Sequence, residues 1–155
     1  MRGLEIPPIE KIDVNTLVHA TEDEEKVKMI ISSLIPAETH PTLKIIRLSG
    51  HYGNPISLMT VSIRSKGHME NLLKELFAKL GPGDKAALLE ELPLHVAGNG
   101  AFYLRLNKQA AAKGIVSLGE EDPIQIKIKF KPVHVKNDLI DGLERMLKNC
   151  VYTST

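Results

Sequence analysis

Tryptophan is absent from the chain, and only three phenylalanines and three tyrosines occur among its 155 residues. So few rings exclude the stacking platforms on which single-strand readers of the RRM or OB type lay out bases. Cysteine is nearly absent too. Cys150 cannot form an internal disulfide and has no catalytic companion nearby in sequence, so a reducing cytoplasm is expected. No apolar run approaches the ~20 residues needed to cross a bilayer. The first ten residues, with Glu5 and Glu10, lack a signal-peptide pattern, so the expectation is a soluble protein retained in the cell. Neither charge is in excess: 20 basic side chains against 19 acidic give a formal charge of +1. Bulk charge thus announces neither a nucleic-acid binder nor a membrane-surface protein. The motifs of common enzymes are missing as well, with no phosphate-binding Walker loop, dinucleotide fingerprint or nucleophile elbow. Gly81-Pro82-Gly83-Asp84-Lys85 follows a helix rather than a strand and reads as a turn. His19, His40, His51, His68, His95 and His134 are scattered, no two at a metal-ligand spacing, so neither a metal nor a cofactor is expected.

What is present suits one α+β domain over residues 1–155, since 43% of the residues are hydrophobic. Charge is uneven along the chain. From Met1 to Glu25 there are seven carboxylates and two basic residues, and from Ala101 to Thr155 nine basic residues and six acidic ones. Lys11 to Ala20 alternates as a strand, with Ile12, Val14, Thr16 and Val18 on one face. Thr21 then opens a helix in a capping-box pattern with Glu24, and Val27, Ile30, Ile31 and Leu34 form its buried stripe. The acidic run there is a helix start rather than a cation site, because adjacent carboxylates on one turn cannot converge on one ion.

Leu43–Leu48 and Ile56–Arg64 predict a hairpin around the Gly50 loop. Gly67–Leu80 predicts a helix, and Asp84 caps a shorter one, Lys85–Leu92. Ala101–Lys108 and Ile124–Lys131 alternate as strands, and Asn137 or Asp138 starts a C-terminal helix carrying Leu139, Ile140, Leu143, Met146 and Leu147. The order predicts a two-layer α+β sandwich, with a mostly antiparallel sheet, helices on one face and the other face open.

Two groups of residues carry the functional reading. The first is the loop Gly50, His51, Tyr52, Gly53, Asn54, where the glycines permit tight approach and free amides could cradle a phosphate. The bland reading of the same loop is plain turn chemistry. The second is the outward face of the last three strands, with Arg64, Tyr103, Arg105, Lys127, Lys129 and Lys131 and no carboxylate from those strands. Such a face suits the backbone of structured RNA, unless the lysines merely solvate the sheet and guard its edge.

Ala20-Thr21-Glu22-Asp23-Glu24-Glu25-Lys26-Val27 and Gly50-His51-Tyr52-Gly53-Asn54-Pro55-Ile56 together resemble an archaeal RNA-binding protein family described as predicted exosome subunits. Phe102 to Ala110 and the basic strand from Ile124 also sit where that pattern places them. The resemblance runs from about Val14 to Leu147 and implies a fold like that of the large-subunit ribosomal protein five. It implies RNA as partner, no catalytic residues, and association with an RNA-processing complex. The expected function is therefore non-enzymatic RNA binding, accessory to RNA processing or ribosome maturation. The glycine loop would supply amide donors, and His51 and Tyr52 would meet a base or ribose. The alternative is a protein-interaction module whose open sheet face mediates homodimerisation or docking. A hydrolase at the His51–Tyr52 loop is the third option, and it lacks a nucleophile and an orienting partner in sequence.

Overall fold

Ile124, Ile126, Ile128 and Phe130 alternate with polar residues, and only an extended strand puts all four on one side. In the computed structural model, which describes residues 6–131 and 136–150, this segment is a strand ending at Phe130. His134 lies outside the described residues. The chain order is β1 (Ile9–Val18), α1 (Glu24–Leu34), β2 (Thr42–Ser49), β3 (Pro55–Ile63), α2 (Lys66–Lys79), α3 (Pro82–Glu90), β4 (Ala101–Leu106), α4 (Lys108–Ala112), β5 (Ile124–Phe130) and α5 (Lys136–Asn149). One five-stranded sheet has the order β2-β3-β1-β5-β4, with every neighbouring pair antiparallel.

The N-terminal strand is therefore central. A register shift between Ile9 and Lys11 lets Ile9 and Ile12 both face inward although three positions apart. The inward rows Val61–Val14–Ile126–Leu104 and Ile63–Ile12–Ile128–Phe102 run across four strands. Against them pack Val27 and Ile31 of α1, Leu72, Leu73, Leu76 and Phe77 of α2, and Leu139, Leu143 and Leu147 of α5. Phe77 meets Phe102 edge to face, with ring centroids 5.9 Å apart. All the helices that share this core lie on one side, and the other side of the sheet stays open.

Three local expectations change. Asp23, not Thr21, caps α1 by accepting from the Glu25 amide, and Glu24, the expected box residue, opens the helix and accepts from Arg47 instead. Pro82 occupies the first turn of α3, so Asp84 is inside that helix, where it accepts from the Leu118 amide. The run predicted as a strand to Lys108 ends at Leu106: Asn107 caps the short α4 by accepting from the Ala110 amide.

Candidate nucleic-acid interface

The register places the outward side chains in cross-strand rows. Lys127 stands between Asp13 of β1 and Tyr103 of β4, Lys129 between Lys11 and Ala101, and Gln125 between Asn15 and Arg105. The Lys127 ammonium lies 5.9 Å from the Tyr103 ring centroid, within cation–π range. Arg64 and Lys131 directly follow β3 and β5, which both end beside the start of β1. Arg64, Lys129 and Lys131 are exposed. The fold thus gathers Arg64, Tyr103, Lys127, Lys129 and Lys131 at one end of the open face, with Arg105 farther along β4.

The central strand changes the electrostatics of this face in both directions. It adds Lys11, and it also inserts Asp13, which pairs with Lys11 at 3.4 Å and accepts from Ser62. Glu120 lies 4.0 Å from Arg105. The face is therefore not free of carboxylates, and Lys127, Lys129 and Lys131, without an ion pair among the described residues, carry its least compensated charge.

The glycine loop lies elsewhere. It closes the β2–β3 hairpin at the opposite end of β3, and the nine residues of that strand span about 30 Å. The Gly50 amide donates to the Asn54 carbonyl at 2.7 Å and the Gly53 amide to the Gly50 carbonyl at 3.0 Å, so both glycine donors are consumed within the turn. Gly53 has φ +76°, and Tyr52 is 92% exposed with φ +64°. At Gly50 a Cβ would lie 2.8 Å from the Asn54 carbonyl oxygen and collide with the Ile56 side chain. Gly50→Ala is expected to lower stability by about 1–2 kcal/mol, as overpacking does. Urea denaturation measures this, and an unchanged midpoint would show that the hairpin yields without cost.

A polar cluster that sequence spacing did not reveal joins His19, Glu22, Lys108 and Asp122. The Lys108 side chain is 2% exposed; its ammonium donates to the Leu17 carbonyl at 2.7 Å and meets Glu22 and Asp122 at 3.3 and 3.0 Å. His19 Nε2 is 2.9 Å from Asp122. One ligand atom each from His19, Glu22 and Asp122 could lie within 4.8 Å of one another, yet the positive charge between the two carboxylates is already the Lys108 ammonium. Partial burial pushes the Asp122 carboxyl up, but hydrogen bonds from His19 and Lys108 and their charges outweigh it and hold it below its ordinary value. Burial raises the Cys150 thiol, the reverse of what activates a nucleophile.

A family model described as RNA binding matches residues 11–130, from the first strand to the end of the fifth. The chain belongs to the RNA-binding family. That description names RNA binding and no reaction. Among relatives, the RNA-binding protein PAB1135 of Pyrococcus abyssi is 34% identical over 133 residues, covering 83% of this chain and 86% of the relative. The solved structure of protein AF2318 from Archaeoglobus fulgidus, of family DUF54, is 29% identical, covers 89% of this chain and 99% of its own, and superposes with a TM-score of 0.77. Mth689, a DUF54 protein from Methanothermobacter thermautotrophicus, is 25% identical over 90% of this chain and 98% of its own, with a TM-score of 0.75.

These likenesses correct the expected resemblance. The antiparallel sheet with helices on one face is the DUF54 fold of this RNA-binding family, not the fold of the large-subunit ribosomal protein five, and the exosome-subunit assignment falls with it. Local patterning reads well which elements make up such a sandwich, but it does not contain which strands are neighbours. No helix among the described residues is long and apolar enough to cross a membrane.

Proposed function

We propose that the chain binds the phosphate backbone of structured RNA with the basic end of its open sheet face, as a non-enzymatic accessory of RNA processing or ribosome maturation. The observation that carries this reading is the meeting of Lys127 and Lys129 with Lys11, Arg64 and Lys131 at one end of a face that no helix covers. Backbone contacts need cations on a rigid frame, and strands hold these side chains at fixed spacing. Tyr103, half-buried beneath Lys127, orients that lysine more than it offers a ring to stack on. Family membership and the name of the Pyrococcus abyssi relative support RNA as the ligand class.

The glycine hairpin takes no part in this reading at the basic end. Its Gly50 and Gly53 amides are occupied, and only a ligand spanning about 30 Å would touch both the hairpin and the basic end.

Fluorescence anisotropy of a structured RNA and an equal-length single strand, titrated across a salt series, tests the proposal. The expected result is tighter binding of the structured RNA, with a log–log salt slope of about −3 to −4 for four or so neutralised phosphates. No binding at low salt would overturn it.

A further inference from the structure

The two edges of the sheet are finished differently. On β4 the carbonyls that point away from the sheet belong to Ala101, Tyr103 and Arg105. They accept from the Ala97 amide at 2.8 Å, from His95 Nδ1 at 2.8 Å and from the Gly119 amide at 3.0 Å. Bridges at Val96 and Leu118 run alongside. That edge is closed.

On β2 the bond from the Gly50 amide to the Asn54 carbonyl sets the phase of the hairpin. Even-numbered residues face β3, and the N–H and C=O groups of Leu43, Ile45, Arg47 and Ser49 point away from the sheet. No described residue bonds to any of these groups. Proteins usually blunt such an edge with proline, a bulge or an inward charge. β2 has no proline, and its register with β3 runs unbroken from Thr42 to Ser49. Its one inward cation, Arg47, is engaged by Glu24 and Ser57. Leu43 on one side of the sheet and Ile46 and Leu48 on the other are 39–46% exposed.

We infer that β2 pairs antiparallel with β2 of a second copy, joining two five-stranded sheets into one of ten strands. With the two-fold axis at Ile46, Leu43 stands opposite Ser49 and Ile45 opposite Arg47, so the outward groups of all four odd-numbered residues find partners. Ile46 of the two copies meet on the open face. Leu17 and Leu58 share the row of Ile46, so an apolar strip continues from each copy to the axis.

Charge permits this register: the two copies of Arg47 fall two residues apart along the seam, about 7 Å, but each is paired with Glu24 at 2.7 Å. The two copies of Lys44 fall four residues apart along the seam, about 13 Å, beyond the ~8–10 Å over which salt leaves charges coupled. An unrelated strand would have to bring apolar side chains to both faces at the right alternation, which β2 supplies for itself. An eight-residue seam is ~26 Å long, and a single strand edge buries less than the ~1,000 Å² of a stable interface, so a weak, concentration-dependent dimer is expected. This inference is independent of the RNA reading, since edge pairing leaves the basic end of the face uncovered.

Sedimentation equilibrium of the purified full chain from about 1 to 300 µM tests it, a range chosen for micromolar affinity. The mass should rise from 17.1 kDa toward twice that value. Ile46→Lys, which places two ammonium groups together at the axis, and separately Leu48→Lys should hold it at the monomer value with an unchanged far-UV spectrum. Hydrogen exchange should show the amides of Leu43, Ile45, Arg47 and Ser49 protected only at high concentration. A monomer at every concentration would overturn the inference and leave the edge to a strand from another protein. A dimer in which those four amides exchange freely would overturn it equally.

Discussion

Lys127→Glu together with Lys129→Glu is expected to weaken RNA binding about 100-fold at ~0.1 M salt. Each phosphate contact contributes a factor of about 8 at that salt through counterion release, so two lost contacts account for ~60-fold, and reversing the charge adds repulsion. The salt slope should flatten by about 2, and the loss should be similar for structured RNAs of different sequence, because the contacts are to phosphate. Lys129 reaches solvent, but Lys127→Glu faces Asp13 and gives up the Tyr103 ring, so the melting temperature should fall modestly while the far-UV spectrum stays unchanged. Arg105→Glu should cost less, since Glu120 already lies 4.0 Å from that guanidinium. Anisotropy on the two variants checks the order of effects. Undiminished affinity in the double variant would remove the basic end of the sheet as the RNA site.

Lys108→Met should destabilise the fold by about 3 kcal/mol at neutral pH. The substitution keeps the aliphatic stem but removes the donor to the Leu17 carbonyl and leaves Glu22 and Asp122 facing each other. Breaking a fully buried ion pair costs ~3–5 kcal/mol; the carboxylates here are 24% and 37% exposed, so water recovers part of it. For a domain of this size the melting temperature should fall by about 10 °C.

The effect depends on pH with a definite sign. Asp122 has a folded pKa below its unfolded value, so its stabilising contribution is fully present above ~4 and is lost as pH falls through the folded pKa. The gap between wild type and Lys108→Met should therefore narrow under acid conditions. Thermal melts at pH 7 and near pH 3 measure both. Equal stability at pH 7 would mean that the ammonium gains no more from its partners than it lost on leaving water.

Much of the fold was legible because its signals are local. Leu72, Leu73, Leu76 and Leu80 recur at helical spacing and all four are buried. The in-and-out pattern of Phe102, Leu104 and Leu106 is also as the alternation predicts. Helix starts were less legible, since Glu24 and Asp84 have long-range partners, Arg47 and Leu118, that compete with the capping roles their positions suggest. The short α4 was missed because Ala101–Lys108 continues its alternation right up to the Asn107 cap. The His19–Glu22–Lys108–Asp122 cluster had no sequence signal at all, with Asp122 standing 103 positions from His19.

The sequence by itself determined which residues of each strand face the core and which face outward, because side-chain alternation is set by the stereochemistry of the extended chain and needs no partner. It determined the outward character of Lys127 and Lys129 in the same way. Only the tertiary structure decided what stands beside them. Placing β1 at the centre brought in Lys11 and Asp13, and running β3 away from the hairpin put the glycine loop about 30 Å from the lysines it was expected to assist. Leaving β2 rather than β4 without a bonded edge was also a tertiary outcome. Neighbour choice rests on core packing and loop closure summed over the whole chain, quantities that no window of adjacent residues contains.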